Sequence, residues 1–213
     1  MAVSYHDRSR YANLEVDTTL TWQEVTEYSS DNMTLTDERW KALSADDGIV
    51  AVDREWAARE GLPPSENVFP WDSSKRIYLL NGYHGIHCLA QLHLTLREYR
   101  DGLPQSHSFE HSNHCLDWLR GDIMCRADDT PLYTTRSMVS ANGIGQSRQC
   151  RDWGKLESWA RTHHSCYRYG DFVVEDKLPS QMGRFKYCPN DSPYLPAVRK
   201  YFGKGDDWLP VDP

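Results

Sequence analysis

No run of about eighteen apolar residues occurs in this chain, so nothing in it reads as a membrane-spanning helix. Behind Met1 there is no short apolar segment either, which excludes a secretory signal among these residues. Basic residues do not cluster: 24 Lys and Arg face 31 Asp and Glu, a net charge of −7, which argues against nucleic acid as a partner. Aliphatic residues are sparse, and eight Trp, twelve Tyr and five Phe supply core volume in their place. With 213 residues and no linker-like stretch, the expected organisation is an extended segment over 1–17 and a single domain over 18–213.

Cysteine is not among the scarcities. Six are present (Cys88, Cys115, Cys125, Cys150, Cys166 and Cys188), an even number that suits three disulfides in an oxidising compartment. Asn32-Met33-Thr34 and Asn190-Asp191-Ser192 are glycosylation sequons, which agree with such a compartment. The expectation is therefore a protein of the secretory-pathway lumen whose natural form carries an N-terminal anchor or signal that this chain has lost. Metal-bound or free thiols in the cytosol are the alternative.

The most informative stretch runs from His84 to Cys115. It reads H-G-I-H-C at His84–Cys88 and again H-S-N-H-C at His111–Cys115. With nine His and six Cys, one such motif arises by chance in about one chain per hundred. Three residues advance about 300° around a helix, so each pair of imidazoles lies on one face. Two such helices packed together offer four ring nitrogens, from His84, His87, His111 and His114. Both pairs fall near a helix start, where the dipole favours the neutral rings that metal binding needs.

Imidazole suits zinc, copper, iron and nickel. The sequence has no H-E-x-x-H, which removes the usual zinc-protease site. Only Asp117, three residues past His114, stands in register for an iron-type carboxylate, so an all-nitrogen site is favoured: copper or structural zinc. His107 can add a fifth ring, enough donors for two coppers. As thiolates, Cys88 and Cys115 would complete zinc-like His/Cys sites. Beside an oxidative copper they are better locked in disulfides, out of reach of oxidation. Without a metal, the four rings would be buried, hydrogen-bonded histidines. His6, His93, His163 and His164 show no partner pattern, Asp117 and Arg120 suit a local ion pair, and Arg148, Arg151 and Asp152 suit structural roles.

Periodicity predicts a mainly α chain with short strands, an irregular α+β fold. Helices are expected at 19–28 (Leu20, Trp22, Val25, Tyr28), from Thr36 toward Gly48, at 83–99, at 109–126 and at 153–163, the last capped by Asp152. Strands are expected at 49–52 and 76–80, with Asn81-Gly82 as a turn into the first histidine helix and Gly143-Ile144-Gly145 as another turn. The tail from Cys166 to Pro213 reads as irregular structure wrapped over the core, stapled by Cys166 and Cys188.

At these residues the sequence resembles the UstYa-like family of fungal secondary-metabolism oxidases, whose mark is two H-x-x-H-C motifs. Further landmarks match in order: Phe69-Pro70-Trp71-Asp72, Tyr78, Asn81-Gly82-Tyr83-His84, His114-Cys115-Leu116-Asp117, Leu119-Arg120, Cys125, Ala127-Asp128-Asp129-Thr130-Pro131 and Gln149-Cys150-Arg151-Asp152-Trp153. The likeness covers roughly 18–188. It implies a copper-dependent enzyme that uses O2 to hydroxylate, halogenate, desaturate or cyclise C–H positions of a small-molecule or peptide natural product, with chloride as co-substrate in halogenating members. It also implies His84, His87, His111 and His114 as ligands of one or two copper ions. Family members usually have a transmembrane helix before this domain, so a membrane is reached only through a missing anchor. Many have a His two residues before the later cysteine, where this chain has Arg148. A homodimer is one option, since an unpaired cysteine can link two chains. The alternative to an oxidase is a non-catalytic, zinc-stabilised binding scaffold.

Overall fold

The computed structural model describes residues 8–21, 23, 25–126, 145, 147–168 and 181–210. The readings made above for His6, Trp22, the landmark at 127–131 and the turn residues 143–144 lie outside them. Among the described residues, ten α-helices and strands follow in order: β1 (Val16–Thr21), α1 (Met33–Lys41), β2 (Ile49–Asp53), α2 (Arg54–Arg59), β3 (Lys75–Leu79), α3 (Asn81–Arg100), α4 (Phe109–Arg126), β4 (Ser147–Arg151), α5 (Trp153–Thr162) and α6 (Leu195–Phe202). The fold is α+β, with long helices and short strands. By internal contacts the chain divides into two compact units, one of Met1–Ser9, Leu14–Ser44 and His84–Asp152, the other of Arg10–Asn13, Ala45–Tyr83 and Trp153–Pro213.

In the first unit, β1 pairs antiparallel with β4, Leu20 opposite Arg148. This corrects the helix expected over 19–28. The run Thr18-Thr19-Leu20-Thr21 is rich in β-branched residues, and a distant strand was available to pair with it. Gln149 Nε2 donates to Thr19 Oγ1 across the ladder (2.8 Å). The next helix also starts earlier than expected. Asn32 caps α1 by accepting from the Leu35 amide, and Thr36 sits buried within it, its hydroxyl donating to the Ser30 carbonyl (3.1 Å). The helix ends at Lys41 rather than near Gly48. Trp40 of α1 stacks on His93 of α3 (ring centres 4.8 Å apart), and Asp37 accepts from Arg100 (2.8 Å). Asn81 and Gly82, expected as a turn, are the first residues of α3, whereas α4 spans its expected residues.

The second unit is organised on the β2–β3 hairpin, in which Ala51 faces Ile77. Successive side chains of a strand point to opposite faces, and β2 feeds two cores accordingly. Ala51 packs with Phe69, Ile77, Cys166, Cys188, Leu195 and Val198, while Val50 and Val52 pack with Ala57, Tyr83 and Ala160. Gly48 allows Tyr83 to approach: a Cβ there would lie 2.2 Å from the Tyr83 ring. Helix α2, not foreseen, starts on Asp53, whose side chain accepts from the Glu55 and Trp56 amides (2.9 and 2.8 Å). Helix α5, expected over 153–163, turns Leu156, Trp159 and Ala160 inward. The tail is more regular than predicted, because Leu195, Val198 and Phe202 recur at helical spacing and Gly203 ends α6 in a left-handed conformation (φ 61°).

The Cys166–Cys188 disulfide is present as expected. Cys88 and Cys115 are buried free thiols, Cys125 is exposed and Cys150 partly buried, so three disulfides are not formed. The expectation that the motif cysteines are locked in disulfides is corrected in the same way.

Candidate metal centre

The two H-x-x-H-C motifs lie on α3 and α4, both in the first unit from His84 onward. Within α3, the His84 and His87 rings lie 6.2 Å apart, centre to centre. Across to α4, His84 meets His114 at 6.3 Å and His87 meets His111 at 6.1 Å. A fifth ring joins them, since His107, in the loop before α4, stacks on His111 at 4.8 Å. Metal–nitrogen bonds are about 2 Å and a ring nitrogen is about 1 Å from its ring centre, so two imidazoles on one ion have centres at most about 6 Å apart. The motif histidines thus stand pairwise at the outer edge of that reach. Among the described residues, however, no group of three or more His, Cys, Asp or Glu side chains stands in a metal-holding arrangement.

The surroundings favour neutral rings. Burial, then repulsion from His114, lowers the His84 pKa, and burial together with His111, His84 and His107 lowers that of His87. His111 Nε2 is buried without a hydrogen-bond partner among the described residues, a costly state for a polar atom and one that a metal bond would relieve. Gln91 Oε1, one turn past His87, is likewise buried and unsatisfied. Gln91 lies seven residues past His84 and so falls on the same face of α3 as the histidines. Trp118 sets its ring edge-on to His84 (4.5 Å) and limits how that imidazole can turn.

The two motif sulfurs are buried free thiols. Burial, with Cys115 beside it, pushes the Cys88 thiol up to about 12. Its closest histidine contact is His84 Nε2, at 3.9 Å. On present chemistry the donor set is nitrogen-rich, and it fits copper or zinc through imidazole.

The other described histidines have structural surroundings. His93 lies between Trp40 and Asp37, and His163 stacks on Trp159 (4.1 Å) with Nδ1 2.8 Å from its carbonyl. His164 is half-buried beside Cys166. Asp117 pairs with Arg120 (2.7 Å), an ion pair of neighbouring helical turns.

A family model described as mycotoxin biosynthesis protein UstYa matches residues 2–163, which include both motifs. The chain belongs to the UstYa family. Among its relatives is a chlorinase, cctP2 of Talaromyces islandicus, 38% identical over 91% of this chain and 63% of the relative. A hydroxylase from the same fungus, cctR, is 39% identical over 67% of this chain and 54% of its own. The UstYa family oxidase phomYe of Diaporthe leptostromiformis is 29% identical over 44% of this chain and 36% of its own. The chain thus spans less than two thirds of the length of these relatives. No solved structure matches.

Proposed function

We propose that this chain is the catalytic part of a copper-dependent oxidase that tailors a fungal natural product at C–H bonds. The observation that carries the reading is the meeting of His84, His87, His111 and His114 at ring separations near 6 Å, with a buried, unpartnered Nε2 on His111. The family and the relatives named chlorinase, hydroxylase and oxidase support it.

In this reading α3 and α4 pack as two walls of one cradle. His84, His87, His111 and His114 would hold one or two copper ions, with His107 available as a further ring. Copper there would supply the one-electron chemistry by which O2 oxidises an unactivated C–H bond. The chain's residues do the rest. Neutral imidazoles offer lone pairs without competing protons, Trp118 restrains His84, and the Gln91 carbonyl offers an acceptor at the edge of the site. The substrate is a small-molecule or peptide natural product. Each outcome is a two-electron oxidation with O2 as the acceptor. Chloride replaces the hydrogen, or two hydrogens leave to give an alkene or a ring, while O2 takes up the two electrons and two protons as hydrogen peroxide. Hydroxylation instead puts one oxygen of O2 on the carbon and releases the other as water with two electrons from an external reductant. The Cys166–Cys188 disulfide and the exposed sequon residues Asn32 and Asn190 support a site in the secretory-pathway lumen. A membrane anchor would be contributed by sequence outside this chain.

Deleting the gene and profiling metabolites tests the reading: a product should shift by one oxygen, two hydrogens or one chlorine. With the purified enzyme, turnover in the strict absence of O2 and peroxide would reject it. A second reading draws on the two buried free thiols beside the histidines. In it the same side chains hold zinc and the chain is a binding scaffold. Metal analysis of protein purified without added metal separates the two, stoichiometric copper supporting the oxidase and stoichiometric zinc the scaffold.

A further inference from the structure

Helices α3 and α4 expose large apolar side chains in a regular pattern. On α3 these are Leu89, Leu96 (67% exposed) and Tyr99 (82%). On α4 they are Phe109 (79%), Leu116 and Ile123 (69%). Leu89 and Leu96 are seven residues apart, as are Phe109, Leu116 and Ile123, the spacing at which a straight seam faces a partner helix. The contacts of His84 with His114 and of His87 with His111 run in opposite chain directions, so the helices are antiparallel where they meet.

The direction of each stripe follows from the 100° step of a right-handed helix. Measured from Cys88, which lies against Cys115, the stripe of Leu89 and Leu96 is about 80–100° onward around the axis. On α4 the stripe of Phe109, Leu116 and Ile123 lies about 80–120° onward from Cys115. Because the helices run oppositely, these equal rotations bring both stripes to the same side of the pair. The same steps carry His87 and His114 to the other side and leave Cys88 and Cys115, both buried, between. One side of the pair therefore gathers imidazoles and the other is a continuous apolar face.

We infer that this apolar face docks a second copy of the chain across a two-fold axis, the α3–α4 pairs of two protomers closing into a four-helix bundle. The exposed side chains offer on the order of 1,000 Å² per protomer, and a stable interface of standard size needs about 800 Å² per partner. The face is self-complementary, as a two-fold contact requires. Its flanks carry ion pairs of both signs, Arg100 with Asp37 and Asp101 and Arg120 with Asp117, not the unpaired basic residues that an anionic membrane surface draws. In such a dimer the two histidine clusters lie on opposite outer sides, each open to its own substrate. The inference does not depend on which metal the histidines hold.

Sedimentation equilibrium on the 213-residue chain from about 1 to 100 µM tests it. The expected result is a species of twice 24.7 kDa. The double variant Leu96→Lys/Ile123→Lys should raise the dissociation constant at least about a hundredfold, with circular dichroism and metal content per chain unchanged. Hydrogen exchange on the unaltered protein serves if that variant misfolds: amides of 89–99 and 109–123 should be slower at high than at low concentration. A monomer throughout, a dimer indifferent to both lysines, unchanged exchange in these helices, or a monomer that floats with phosphatidylcholine vesicles would each overturn the inference.

Discussion

The two units are built on opposite terms. In the second, Val50, Phe69 and Val198 are fully buried, β2 feeds a core on each face, and a disulfide ties Cys166 to Cys188. In the first, Cys88 and Cys115 are the deepest side chains on helices that leave leucines, Phe109 and Ile123 exposed, and buried polar atoms of Gln91 and His111 find no hydrogen bond among the described residues. Among the described residues, the first unit thus holds buried polar atoms without partners beside exposed apolar side chains, and the second closes its cores on both faces of β2.

That contrast is broken most forcefully from the core side. Phe69→Ala removes a fully buried ring packed edge-on to Tyr194 and should cost about 3–5 kcal/mol in urea unfolding, whereas Val25→Ala, in the first unit and largely exposed, should stay within about 0.5 kcal/mol. Similar costs for the two would erase the distinction. Next comes the disulfide. Its sequence separation of 22 predicts that the Cys166→Ala/Cys188→Ala variant loses about 3 kcal/mol, read as a lowered thermal midpoint that reductant reproduces in the parent protein.

How much of this was legible depends on how local the deciding forces are. Helices α4 and α5 could be read directly, because i, i+3 and i+4 spacing is a local property of the residues. The histidine pairs were legible for the same reason, as was β2, a short apolar run. Strand β1 was misread since its partner β4 is more than a hundred residues away, and Leu20, Val25 and Tyr28 imitate a helical period. The early start of α1 turned on Asn32 rather than Thr36 as the cap, two residue types with similar claims on that position. Helix α2 is too short for periodicity, although Asp53 before Arg54-Glu55 is a start signal that went unused. The Cys166–Cys188 staple was read from the tail, whereas that Cys88, Cys115, Cys125 and Cys150 stay free was not, because it depends on distances that no spacing encodes.

The smaller effects sharpen the contrast within the first unit, where the histidines of α3 and α4 have different surroundings. His111→Ala should weaken metal binding at least about a hundredfold, measured by competition with a chelator of known affinity, and abolish product formation, while far-ultraviolet circular dichroism stays that of the parent. His93, on the same helix as His84 and His87, rests against Trp40 and 3.6 Å from Asp37. His93→Ala should therefore cost less than about 1 kcal/mol and leave metal stoichiometry intact. If His93→Ala removed metal as His111→Ala does, ring proximity would be the wrong criterion for a ligand in this helix pair. The donors would then have to be sought on the side of α3 that faces α1.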